Sequence, residues 1–444
     1  MKSRYPLSVH KKILVIALLI TLVSYNPGTG DESPELTNKL MLDNVRLTNS
    51  GSDGPQFEDV ERYLESFMRK WEIRGASVAV SKDGQLIYAR GFGLADTVTK
   101  EEVQPFYKFR IASISKLITA VAVMKLAEEG RLSLSDRVFG GNAILDDVYF
   151  SNPKDKRVYD ITVAHLLSHE AGWSQRWGDQ MFMPVVIADH MGTDMPVDTR
   201  TIIRFALDKN LHFTPGTGRA YSNLGYAILG LVIEKISGMP YDEYCKKSIL
   251  EPLGIYDMML ARNLKEEKAP WEVTYHVPED VLPKPSVYGT GELLSPCYGG
   301  NDIEALGAAG AWLATAPDLM RLLLAVDGFD TRPDILSAPS IELMTDNGKG
   351  LAPAGWKTTL DNGTWWRTGS FPGTAAMMKR EADGTAWVVL LNTSTWNGPE
   401  IHSYINSLMQ RVTSKLNPGD NTDLFNFSIP VPLVSADGNE LFIG

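Results

Sequence analysis

Ser113 and Lys116 stand three residues apart in the stretch FRIASISKLI, residues 109–118. At helical spacing the two side chains share a face, about 5–6 Å apart at Cβ. Their neighbours Phe109, Ile111, Ile114, Leu117 and Ile118 are apolar, so this helix start enters a core. A serine hydroxyl becomes a useful nucleophile only when a neighbouring base takes its proton. Lysine can serve when burial and nearby cations lower its pKa. A helix start also favours negative charge developing at the serine. On its own the pair fits an ordinary amphipathic helix start equally well, because S-x-x-K recurs by chance.

Two further stretches carry groups that could complete such a unit. In FTPGTGRAYSNLGYAILG (213–230), Tyr221 and Asn223 follow a Pro-Gly turn and precede a long apolar run. Tyr221 is a candidate general base, and Asn223 is a candidate to orient substrate or Lys116. The structural alternative makes Asn223 or Ser222 a helix cap and Tyr221 a core aromatic. In WWRTGSFPG (365–373), Arg367, Thr368 and Gly369 end a strand pattern. There a cation could face the substrate and a bare glycine could let it approach the strand. The alternative is an edge-strand charge beside a turn.

His165 and His169 have the i,i+4 spacing of some zinc ligands, but no H-E-x-x-H pattern joins them, and no metal or cofactor is expected. No G-x-S-x-G elbow or P-loop occurs.

Taken in order, S-x-x-K at Ser113 and Lys116, Y-x-N at Tyr221 and Asn223, and Arg367-Thr368-Gly369 resemble the motifs of the penicillin-recognising serine enzymes. The likeness is closest to the branch of class C β-lactamases, with D-Ala-D-Ala carboxypeptidases, D-aminopeptidases and class VIII esterases. ITVAHLLSHEAGW, PGTGRAYSNLGYAILGLVIEKISG, ILEPLGI and GAAGAWLATAPDLMRLL support it, so the resemblance runs from residue 57 to about 412. It implies Ser113 as the acylated nucleophile, with Lys116 and Tyr221 moving its proton. It implies Asn223, Arg367, Thr368, Gly369 and Ser370 as substrate-binding positions. The backbone N–H groups of Ser113 and Ser370 would then form an oxyanion hole. The family has Lys or His where this chain has Arg367. Arginine cannot shuttle a proton, but it can lower the Tyr221 pKa or grip a carboxylate through two N–H groups. The class A motif E-x-x-L-N is absent.

Several elements must position these residues. FEDVERYLESFMRKW (57–71) has helical spacing at Val60, Leu64, Phe67, Met68 and Trp71. ASVAVSKDGQLIYARGFG (76–93) places Asp83-Gly84 between two alternating runs, a hairpin signal. The segment 115–130 reads as a long apolar helix ending at Gly130, and 162–173 and 222–238 as further helices. Strands return at 364–369, 374–381 and 386–392, with a Asp383-Gly384 turn, and 399–416 reads as a closing helix. Strands at both ends and helices between them predict an α/β (α+β) fold. One antiparallel sheet is built from both chain ends, flanked by helices, with an inserted, mainly helical lobe. The site lies in the cleft between sheet and lobe. The stretches 139–160, 175–200 and 262–305 look like surface excursions that wall it.

The chain has 444 residues, which alone suggests about three domains; the strand pattern instead predicts one catalytic domain over 57–416. Residues 31–56 read as a leader and 417–444 as a tail. A net charge of −11 and the lack of a basic block exclude nonspecific nucleic-acid binding. Lys2, Arg4, Lys11 and Lys12 precede the 11-residue apolar run ILVIALLITLV. A span needs about 20 apolar residues, so residues 1–30 read as a secretory signal. The chain is then exported, periplasmic or secreted, with no stable span after processing; the alternative is an N-terminal anchor. Cys245 and Cys297 could pair in an exported protein or remain separate buried thiols. The expected activity is that of a serine hydrolase or acyl-transferase acting through an acyl-Ser113 intermediate, on a small molecule or peptide carrying an acyl group. It would be a peptidase, carboxypeptidase or esterase, or would transfer the acyl group to an alcohol or amine. The alternative is a non-catalytic, penicillin-binding-like sensor.

Overall fold

The computed structural model describes residues 46–416, except 177, 347, 349, 350 and 352, together with 423–427. The expected signal segment and much of the leader and tail lie outside the described residues. The described ends are tied down. Asn49 Nδ2 donates to the Gly91 and Val103 carbonyls at 3.2 and 3.1 Å, and Asp423 accepts from Leu86 N at 3.1 Å.

Seven strands form one antiparallel sheet. They are β1 (Gly75–Lys82), β2 (Gln85–Asp96), β3 (Glu101–Glu102), β4 (Thr358–Thr359), β5 (Trp365–Phe371), β6 (Thr374–Arg380) and β7 (Thr385–Leu391). The spatial order is β3-β2-β1-β7-β6-β5-β4, so the N-terminal hairpin joins the C-terminal strands where β1 pairs β7. The β1–β2 turn is set by Asp83 and Gly84, whose φ angles of 48° and 78° fit a two-residue turn that matches strand twist.

Both faces of this sheet are covered, and that explains its strand sequences. Successive side chains alternate between faces. Val78 and Val80 enter one core and Ala79 the other; Val389 enters the first, Val388 and Leu390 the second. The first core is closed by α1 (Glu58–Trp71) and the C-terminal helix Ile401–Thr413. Val60, Leu64, Met68 and Trp71 from one helix meet Ile405, Met409 and Val412 from the other. The second core holds α2 (Ser115–Glu128), α3 (Asn223–Ser237) and α4 (Ala316–Leu324). Every residue of α2 from Ser115 to Met124 is buried, as expected of a mostly apolar helix without a polar face, and Ser115, Lys116 and Thr119 are buried with the rest. The C-terminal helix Ile401–Thr413 is α5.

The structure departs from expectation in two places and decides between the two readings of the cysteines. The helix expected over 162–173 spans only Val163–Leu167. A small sheet of Phe109–Arg110, Met259–Leu260 and Trp312–Ala314 was not readable, because its strands are too short to show periodicity. Cys245 and Cys297 are both buried free thiols. Among the described residues no helix is long and apolar enough to cross a membrane.

Ile405 is fully buried between α5 and the sheet. Ile405→Ala removes that packing and should lower unfolding free energy by about 2–5 kcal/mol. A denaturant midpoint unchanged from wild type would show that α5 does not close the first core.

Candidate active site

The site begins at the turn Ala112–Ile114 that leads into α2. Ala112 has φ of 46°, an uncommon conformation for a residue with a Cβ. Such strain costs on the order of 1–3 kcal/mol and persists only where the surroundings impose it. Here the surrounding element is β5. A Cβ on Gly369 would lie 2.1 Å from the Ile111 carbonyl oxygen and 3.2 Å from Ser113 N. Only glycine allows the strand to approach the serine backbone this closely.

Lys116 is fully buried. Its Nζ donates to Asn223 Oδ1 at 2.7 Å, to the Ala309 carbonyl at 2.5 Å and toward Ser113 Oγ at 3.5 Å. Two strong acceptors fix two positions on the nitrogen, and the remaining one faces the serine. Burial holds the Lys116 pKa below its ordinary value, and Arg367 adds to this; the Tyr221 and Asp179 charges oppose it. Asn223 is available for this role because Ser222 caps α3, its Oγ accepting from Gly225 N at 3.0 Å. The other end of the Asn223 amide donates to Asp179 Oδ2 at 2.6 Å.

Tyr221 OH lies 2.6 Å from Ser113 Oγ. Burial alone would raise its pKa, but the charges of Lys116 and Arg367 override this and bring it down to about 8. Arg367 is almost wholly buried. Its Nε donates to the Ser113 carbonyl at 2.8 Å, Nη1 to the Trp356 carbonyl at 3.2 Å and Nη2 to Tyr221 OH at 3.3 Å. Three of its donors are thus engaged within the protein. This geometry favours the electrostatic role for Arg367 over a carboxylate clamp.

The His pair does not share a helix face, because the helix ends at Leu167 and His169 has φ of 62°. His165 Nδ1 accepts from Thr162 N at 3.3 Å, while the His169 ring sits 4.8 Å from the Tyr221 ring. Burial and then the cations Arg367, Lys116 and Arg219 hold His169 well below its ordinary pKa, so it packs as a neutral ring.

These groups open into a cavity of about 550 Å³, lined also by Thr368, Ser370, Phe182, Phe371, Trp356, Lys357 and Arg219. Thr368 is buried and Ser370 exposed. Of the three excursions, only 175–200 supplies lining among the described residues, through Phe182; 139–160 and 262–305 contribute none, while Leu306, Ala309 and Gly310 just beyond do. Sequence reasoning missed Asp179, Trp356, Lys357 and Arg219. Arg219 lies two residues before Tyr221 in a stretch already singled out; the others had no local signal.

A family model described as Beta-lactamase matches residues 60–407. The protein flp of Staphylococcus aureus strain N315 is 29% identical over 214 residues, 47% of this chain and 38% of that protein. The chain therefore spans well under half of this curated relative. Among solved structures, the octameric penicillin-binding protein homologue from Pyrococcus abyssi has a TM-score of 0.59 and 28% identity, covering 82% of this chain and 78% of its own. The D-amino acid amidase of Ochrobactrum anthropi SV3, complexed with L-phenylalanine amide, has a TM-score of 0.59 and 20% identity, covering 81% and 98%.

One tyrosine should ionise with a pKa of about 8. Ultraviolet difference titration near 295 nm should show this step in the wild type and not in Tyr221→Phe. In Lys116→Met the step should move to higher pH, since a cation that favours the phenolate is gone. A titration identical in wild type and Tyr221→Phe below pH 9 would contradict the assignment.

Proposed function

The chain belongs to the beta-lactamase family, and we propose that it performs acyl transfer through an ester formed on Ser113. The observation that carries this reading is the contact of Ser113 Oγ with Tyr221 OH at 2.6 Å, with Lys116 Nζ at 3.5 Å on the same oxygen. A nucleophile with a base in reach, and that base held by further groups, is the arrangement covalent catalysis needs.

In the first half-reaction the Ser113 proton passes to the Tyr221–Lys116 pair as Oγ attacks the acyl carbon. Tyr221, with a pKa of about 8, is partly ionised near neutral pH and suited to accept it. Charge developing on the carbonyl oxygen is taken by the backbone N–H groups of Ser113 and Ser370, both of which border the cavity. The same pair then returns the proton to the leaving amine or alcohol. In the second half-reaction water, or an alcohol or amine acceptor, gives up a proton to this pair and attacks the ester carbon; the C–Oγ bond breaks and the pair returns the proton to Ser113 Oγ. Arg367 keeps its charge throughout and lowers the cost of ionising Tyr221.

Amides and esters are the substrate classes this reading names, covering peptidase, carboxypeptidase and esterase chemistry. Lys357 and Arg219 at the cavity edge suit a substrate with a carboxylate near the scissile group. Thr368, Gly369 and Ser370 form the strand edge along which such a substrate would lie. The basic start and short apolar run at residues 1–30 support export to the periplasm or medium. A purely sensory role would draw on Arg367, the one position where the motif departs from the family's Lys or His. Its bonds to Ser113 and Tyr221 give it a place in the catalytic reading instead.

A fluorophosphonate probe should add one label per chain by intact mass, at Ser113. Ser113→Ala should take no label and lose ester or amide turnover on the order of a thousandfold or more. Near-normal turnover in Ser113→Ala would overturn the reading.

A further inference from the structure

We propose that Asp179 is a positioning residue, which orients the Asn223 amide and thereby aims Lys116 at Ser113. The proposal rests on the acyl-Ser113 reading and deepens it.

An amide side chain can be turned either way, with its oxygen or its NH2 toward a given partner. Asn223 lies between two partners of fixed type. Lys116 Nζ, at 2.7 Å, can only donate while charged. An ionised Asp179, with Oδ2 at 2.6 Å, can only accept. One orientation satisfies both, with oxygen to the lysine and NH2 to the aspartate. In the reverse orientation two donors would face each other on one side and two acceptors on the other. Asp179 thus fixes the Asn223 oxygen, and that oxygen, with the Ala309 carbonyl, fixes two of the three positions on Lys116 Nζ. The third position is the one toward Ser113 Oγ. When the lysine loses its proton, it keeps the two N–H bonds and its lone pair points at the serine.

Asp179 is itself held. Oδ2 also accepts from Gln175 Nε2 at 2.7 Å, and Oδ1 accepts from Met181 N at 3.1 Å. This second bond caps the short turn Gln180–Phe182. Phe182 lines the cavity, so the wall that meets substrate and the group that aims the base are joined through one carboxylate. The resemblance to known motifs does not point to this residue, which lies outside all three.

Charge supplies the readout. The ionisable groups that face Lys116 are Tyr221, Arg367 and Asp179, with the neutral His169 ring beyond Tyr221. Tyr221 and Asp179 raise the Lys116 pKa, and Arg367 lowers it. Removing the Asp179 charge therefore makes Lys116 lose its proton at lower pH. The acid limb of any rate that needs the unprotonated base must then move to lower pH.

The experiment measures the rate of fluorophosphonate labelling against pH for wild type, Asp179→Asn and Asp179→Ala, with thermal melts of all three. Asp179→Asn keeps the shape and one acceptor oxygen but loses the charge. Asp179→Ala loses both. The expected result is an acid limb displaced to lower pH in both variants. The best rate should fall about 10- to 100-fold in Asp179→Ala, the scale of one charge-assisted bond. Asp179→Asn should recover much of it. An unmoved acid limb in a folded Asp179→Asn overturns the proposal, whether or not the rate falls, because a merely structural loss lowers rate without shifting the limb. Equal rates in the wild type and both variants overturn it too. Failure of the wild type to label at Ser113 would instead strike the acyl-Ser113 reading beneath it.

Discussion

A lysine ammonium with no exposed surface is the constraint around which the site is built. Lys116 is fully buried in a helix whose neighbouring side chains are mostly apolar. Such a charge is costly unless it is hydrogen-bonded or gives up its proton. The chain meets this with acceptors from three separate segments: Ser113 one turn back, Asn223 at the start of α3 and the Ala309 carbonyl. Each acceptor needs its own support. Ser222 caps α3 so that Asn223 does not have to. Asp179 turns the Asn223 amide. The destabilised cation in turn lowers the Tyr221 pKa, so one buried charge conditions both partners of the serine.

The second constraint is closeness. β5 lies against the Ala112–Ile114 turn so tightly that Gly369 leaves no room for a Cβ. Arg367, two residues earlier on the same strand, ties the Ser113 carbonyl, the Trp356 carbonyl and Tyr221 together. From the other side of the sheet, α5 sets His402 Nε2 3.2 Å from the Gly369 carbonyl. The pairing of β1 with β7 brings the two ends of the chain into one sheet. Ser113, toward the N-terminal side, and β5, toward the C-terminal side, therefore share a rigid frame. A site assembled from rigid elements holds its geometry better than one on loops.

Much of this was written in local sequence. Asp83-Gly84 marked the hairpin, apolar spacing marked α1 and α3, and the Asp383-Gly384 turn between two apolar runs marked β6 and β7. The three motifs placed Ser113, Lys116, Tyr221, Asn223 and Arg367 around one cleft, and the structure brings them together. What could not be read depended on contacts between distant residues. The helix at 162–173 stops early because His169 turns left-handed, with its carbonyl taken by Ala220 N at 2.9 Å. Two of the three partners of Arg367 are backbone carbonyls, 254 and 11 residues away, which no side-chain pattern reveals. Asp179 sits in an excursion without periodicity, and its meaning comes only from the amide it faces.

The site depends on Lys116 being a poor cation, made so by burial and aimed at the serine. The most direct test of this is an NMR titration of the protein with isotope-labelled lysine side chains, the Lys116 signal assigned by its loss in Lys116→Met. The expected result is that Lys116 titrates below the ordinary lysine value of 10.5. A Lys116 that titrates at or above that value would contradict it.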